Sequence, residues 1–207
     1  MTLETLNFWK ISTVKNLFIV FTFLLLGCKS YKTTTELEST FSKQEIKDLQ
    51  TIRTFFIKDI LSLNDENFNT EFRHRIVNLE AEGFKSVKPK KIDKLFSSVS
   101  KSTFDEIWET KTQKRSRNSD DTYQYYAPKI NGKYKEFLSL TTKHNSMVNK
   151  YYNNILRTED FSHSSMLNYI SDNTLDFDLN NTNVQIVMAI HYISICNENN
   201  ITNQLIN

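Results

Sequence analysis

Apolar residues recur at helical spacing through most of this chain, and the breaks in that rhythm divide it into segments. The first apolar run, residues 17–26, is continuous rather than periodic. Residues 29–41 (KSYKTTTELESTF) are polar, carry no apolar face, and read as a flexible tether. Ile46, Leu49, Phe56, Ile57 and Ile60 then fall on one side of a helix over 43–63, which Ser42 and Glu45 open with capping-box spacing. Arg53 interrupts that stripe and reads as a side chain lying along the core edge, with Phe55 on the opposite face. A second helix over 66–82 carries Phe68, Phe72, Ile76 and Leu79, with Asn64 or Asp65 as its cap and Gly83 as its left-handed end. Shorter helices are expected over 90–99 and 103–112, the latter capped by Ser102 or Thr103 and presenting Phe104, Ile107 and Trp108.

Residues 113–122 (QKRSRNSDDT) have no apolar period and read as an exposed loop. A strand competes at one place, residues 123–128 (YQYYAP), because aromatics favour strands and Asn131-Gly132 suits a hairpin turn. The helical spacing of Tyr134, Phe137, Leu138, Thr141, Met147, Val148, Tyr152 and Ile155 outweighs it and predicts one long helix over 133–157. Ser162 caps a further helix with Met166, Leu167 and Ile170, and a polar linker over 172–181 leads to the last helix, 183–197. That segment, apolar on nearly every side, is expected at the centre of the fold. Glycine and proline are scarce, at 3 and 2 residues, which argues against a turn-rich β fold. The expectation is therefore an all-α domain over 42–207: a single irregular bundle of about seven helices with a buried C-terminal helix.

The apolar run near the start changes where such a domain would sit. Lys10 and Lys15 precede residues 17–26, and a small Gly27 follows, in the order of a secretory signal. As a helix the run would be about 15 Å long, half the core of a bilayer, so it is too short to span one. Leu25-Leu26-Gly27-Cys28 resembles the lipobox of bacterial lipoproteins. That resemblance implies a signal peptide over 1–27, cleavage before Cys28, a lipid on the Cys28 thiol, and a lipidated tether over 28–41. Lys29 in the place after the cysteine implies the outer membrane as destination. With Cys28 lipidated, Cys196 has no partner in the chain, and no disulfide can hold the domain together.

Charge and chemistry narrow the function only partly. The chain carries 26 Lys and Arg against 24 Asp and Glu, and removal of Lys10, Lys15 and Glu4 with the leader leaves a net charge of +1. Within it the charge is segregated. Lys85, Lys88, Lys90, Lys91, Lys94, Lys101, Lys111, Lys114, Arg115 and Arg117 face four acids over 85–117, a net of +6. Of these, Lys85, Lys88, Lys90, Lys91, Lys94, Lys114, Arg115 and Arg117 are the candidate binding face for an anionic envelope polymer, a lipid headgroup or an acidic protein. An exported protein is not expected to meet nucleic acid.

Other spacings carry less. Glu71-x-x-His74 and Asp160-x-x-His163 have the spacing of helical carboxylate metal sites, but helix geometry puts His74 opposite the apolar stripe, in water. His191 and Cys196 belong to the apolar last helix and read as a hydrogen-bonded core histidine and a packed thiol. Asp176, Asp178 and Asn180 open like a calcium loop, but Asn181 and Val187 stand where its glycine and bidentate glutamate belong. Ser98-x-x-Lys101 lacks companion residues for acyl transfer. No cofactor is implied. The sequence reading is a lipid-anchored envelope protein acting as a binding or interaction module. Two alternatives stand beside it: an envelope hydrolase or metal-dependent enzyme using His144, His163 or His191, and an immunity lipoprotein against a secreted toxin.

Overall fold

The computed structural model describes residues 32–118, 120–158, 170 and 172–206. In chain order these form α1 (Thr35–Thr40), α2 (Lys43–Phe55), a π-helical turn (Phe56–Ile60), α3 (Phe68–Ala81), α4 (Pro89–Ser98) and α5 (Lys101–Ile107). Strands β1 (Trp108–Lys114) and β2 (Thr122–Pro128) follow, then α6 (Lys133–Thr142), α7 (Ser146–Thr158), a 3-10 turn (Thr174–Asp176) and α8 (Thr182–Ile206). Residues 162–169 of the helix expected after Ser162 lie outside the described residues, as do Cys28 and the leader.

Helix α8 is the axis of the core. Every residue from 183 to 197 is buried, as its apolar composition requires. Burial leaves its few polar side chains in need of partners, and each fixes a different element. Gln185 Oε1 accepts from Arg53 Nε of α2 at 2.5 Å, and His191 Nδ1 lies 3.2 Å from the Tyr151 hydroxyl of α7. Tyr192 donates to Glu80 of α3 at 3.2 Å and stacks on Phe56 with ring centres 5.7 Å apart. Toward the C-terminal end, Ser194 accepts from Trp108 Nε1 at 2.9 Å, and Asn197 accepts from the Tyr126 backbone N–H at 2.8 Å.

The domain is mostly helical but not all-α. Strands β1 and β2 pair antiparallel, from Trp108 opposite Pro128 to Lys114 opposite Thr122. The helix expected over 103–112 stops at Ile107, and the expected loop is the second half of β1 with the hairpin tip. The reason is that β1 shows neither period: only Trp108 of its residues is buried. Its order comes from backbone pairing with β2, whose aromatic residues rest on α8. Burial and the nearby Glu198 carboxylate push the Tyr123 hydroxyl up to about 12.

Three further boundaries differ from expectation. The stretch read as tether is ordered in its second half: Thr34 caps α1, and Leu37 and Phe41 are 0% and 5% exposed. Two apolar residues four apart were too few to register as a stripe, yet they suffice to seat one helical turn. The helix expected over 133–157 is two, because Asn145 Oδ1 accepts the Val148 N–H at 2.8 Å and starts α7 afresh. The last helix continues past 197 to Ile206. Arg53 is buried rather than lying along the edge, held by Gln185 and by an ion pair with Asp65. Helix α3 starts at Phe68, with Asn64 turned back on the Glu66 and Asn67 N–H groups. It ends as expected at Gly83 (φ 59): the Gly83 N–H reaches Glu80 O and the Phe84 N–H reaches Leu79 O, both at 2.9 Å.

Candidate ligand cleft and basic face

Consecutive apolar residues create the cleft. Phe56, Ile57, Ile60 and Leu61 are all buried, an arc of about 140° on a regular helix, and the partly buried Phe55 packs against the core from the side beyond Phe56. The chain widens to a π turn, with the Leu61 N–H reaching Phe56 O at 3.0 Å, and then reverses through Ser62 at φ 57. Gly83 and Phe84, at φ 59 and 58, make the left-handed turn after α3. Between these two turns opens a cleft of about 260 Å³. Ile60, Leu61, Leu79 and Val87 are its buried lining, while Ser62, Arg75, Glu82 and Lys91 are exposed around it.

Non-glycine residues at positive φ are strained, and such strain collects at functional sites. Phe84 is kept there by burial against Tyr192, with ring centres 6.4 Å apart. Ser62 is exposed and has no such restraint from burial. Lys91 Nζ donates to the Asp59 carbonyl at 3.2 Å, bridging the π turn to α4. Among the described residues Arg75 enters no ion pair, so its guanidinium is available to a ligand.

The other polar centres are structural fasteners. Asp48 Oδ2 accepts from Ser100 N at 3.0 Å, Ser100 Oγ at 2.5 Å and Thr103 Oγ1 at 2.7 Å, while Oδ1 accepts from Gln44 at 2.9 Å. Burial alone would raise its pKa, and these hydrogen bonds outweigh that, holding the carboxyl below the usual range. Glu45 is held low in the same way, burial opposing the bonds from Lys133 and Ser42. Burial pushes the Tyr151 hydroxyl up against a countering hydrogen bond from Tyr134. It also raises the Cys196 thiol, which stays protonated and packed.

The sequence candidates scatter. Lys85, Lys88, Lys90, Lys91 and Lys94 follow α3 and run into α4, all exposed, and Lys91 lines the cleft. Lys114, Arg115 and Arg117 belong to the hairpin tip, where Lys114 pairs with Asp120 at 3.2 Å. The tip is about 20 Å along the strands from Trp108, beside which Phe96 of α4 packs. The basic segment is thus two basic groups on two elements. His74 is exposed and 3.2 Å from Asn78; His144 is 70% exposed and 3.8 Å from Glu36; Asp160 and His163 lie outside the described residues. Ser98 donates to Leu95 O and Lys101 pairs with Asp105, each with its own partner. Asp178 accepts from the Asn180 N–H, a local turn.

Sequence reasoning missed Arg75, Ser62 and Ser86, because nothing in an amphipathic pattern marks which polar residues end beside a concavity. The one available signal was the run of apolar residues at 55–57 and 60–61, too dense for a single helical face. No helix among the described residues is long and apolar enough to cross a membrane. Comparison with known protein families, with curated proteins and with solved structures returns no match, so the chain must be understood from its own residues.

Proposed function

We propose that this chain is a lipid-anchored binding module of the bacterial cell envelope, on the periplasmic side and carried by the outer membrane. Cys28 supplies the lipid anchor, and the cleft, lined by Lys91 and followed along the chain by the exposed Lys85, Lys88, Lys90 and Lys94, receives the partner. The observation that carries the binding part is the cleft itself. It opens between two left-handed turns, one of them at an exposed serine, and among the described residues its Arg75 enters no ion pair. By contrast, Asp48, Glu45, Arg53 and Asn197 are consumed in holding elements together. The partner chemistry that fits is an anionic group, from an acidic protein segment or an envelope polymer, meeting Arg75 and Lys91 beside an apolar lining.

The test is affinity capture from detergent-solubilised envelope with tagged protein. Replacing Arg75, Lys90 and Lys94 together by Glu, with Lys91 and its bond to Asp59 left in place, is expected to reduce partner recovery at least about tenfold, with little change in Tm since all three are exposed. Unchanged recovery overturns the assignment.

A further inference from the structure

We infer that the domain stands directly on the membrane that holds its anchor, with the face around Lys32 and α1 turned toward anionic lipid headgroups. The inference rests on the proposed lipid at Cys28. It follows from where the fold begins. The Lys32 carbonyl accepts from Gln50 Nε2 of α2 at 2.6 Å. Thr34 Oγ1 donates to Asn183 at 2.7 Å, and Asn183 Nδ2 in turn donates to Glu36 at 2.9 Å. Leu37 and Phe41 are buried, and the Phe41 ring meets Phe137 with centres 5.8 Å apart. The polypeptide is therefore fixed to the body from Lys32 onward, and this docking of residues 32–41 forms a latch.

Only four peptide steps separate Cys28 from Lys32, a reach of at most about 14 Å. A tether running to Phe41 would reach about three times as far. Fourteen ångströms is less than the radius of gyration of about 16 Å expected for a compact chain of this length, so the leash keeps the face around Lys32 and α1 near the bilayer. The lysines Lys32, Lys43 and Lys47 lie exposed on or beside that face, and His144 stands 3.8 Å from Glu36; the exposed acids nearby are Glu38 and, in the segment entering α8, Asp176 and Asp178. Lysines near an anionic leaflet each add to its attraction.

The same geometry carries the hairpin to the other end. Asn183 at the latch and Glu198, which accepts from Tyr123 of β2, are fifteen positions apart on α8, about 22 Å. Beyond Tyr123 the strands end at Lys114 and Thr122, and the tip that joins them carries Arg115 and Arg117. Those cations are then offered to the envelope space and not to the anchoring bilayer.

The experiment uses the full-length lipidated protein in vesicles of phosphatidylethanolamine and phosphatidylglycerol, with a headgroup-linked nitroxide as short-range quencher. A fluorophore is placed at Thr51→Cys, beside Gln50, or at Arg117→Cys on the hairpin tip; Cys196 is buried and does not compete. Quenching is expected to be several-fold stronger at position 51. A twenty-residue Gly/Ser spacer between Ser30 and Tyr31, with a mean span of about 25 Å, should level the two positions. Equal quenching with the native leash, or a difference that survives the spacer unchanged, overturns the inference. Mass spectrometry of the same vesicles separates the two levels: an unlipidated Cys28 removes the anchor reading and this inference together, whereas a lipidated Cys28 with equal quenching removes this inference alone.

Discussion

Helix α8 and the β1–β2 hairpin are bonded to each other through Trp108, Tyr123 and Tyr126, yet they are made by different physics. Helix α8 is buried from 183 to 197, and its structure follows from transferring apolar surface out of water. In the hairpin only Trp108, Ala127 and Pro128 are buried, and its outer half is ordered by backbone pairing with polar side-chain contacts, Tyr123 to Glu198 and Lys114 to Asp120. Hydrophobic patterning reports the first kind of order and is silent on the second. Polar surface is also what a partner meets, so the regions hardest to read are the ones with most to say about function.

The difference can be broken from the α8 side with the largest effect. Ile193→Ala opens a cavity in a fully buried stretch and is expected to cost about 3 to 4 kcal/mol, read as a lower urea midpoint with unchanged slope. A loss below about 1 kcal/mol would mean that α8 is not the packing axis.

The hairpin side depends on polar fastening, and that makes it pH-sensitive. Asp48 holds Ser100 and Thr103 at the start of α5, the helix that runs directly into β1. Its folded carboxyl is depressed despite burial, so its contribution is complete above the ordinary carboxylate range and is lost as pH falls through the folded value. Asp48→Asn is expected to cost about 2 kcal/mol at pH 7, with the gap to the native protein closing under acid. A gap independent of pH would place the effect in packing instead. The smallest effect belongs to the exposed strand: Thr112→Ala should change stability by less than about 0.5 kcal/mol.

How much could be read in advance follows the same division. The stripe of Phe68, Phe72, Ile76 and Leu79, the capping box of Ser42 and Glu45, the Gly83 terminator and the buried last helix all announce themselves, because each is a local pattern with a direct structural cause. The break at Asn145 did not, since the apolar residues of α6 and α7 stay in helical phase across it. The docking of α1 depends on Gln50 and Asn183, polar residues 18 and 149 positions away from their partners in the chain. Of the cleft, Lys91 was among the candidate residues, but Ser62 and Arg75 come together only through the π turn and the reversal that follows it. A concavity between polar walls leaves no periodic trace.

The proposed placement of the cleft, the latch and the hairpin in the cell envelope depends on the lipid proposed at Cys28. The most direct measurement is mass spectrometry of the protein's N-terminal peptide, isolated from detergent-extracted envelope of cells carrying either the native chain or Cys28→Ser. The native chain is expected to begin at Cys28 with added acyl mass, and the Cys28→Ser chain to persist as uncut precursor. A native chain recovered with residues 1–27 in place and an unmodified Cys28 would contradict the account.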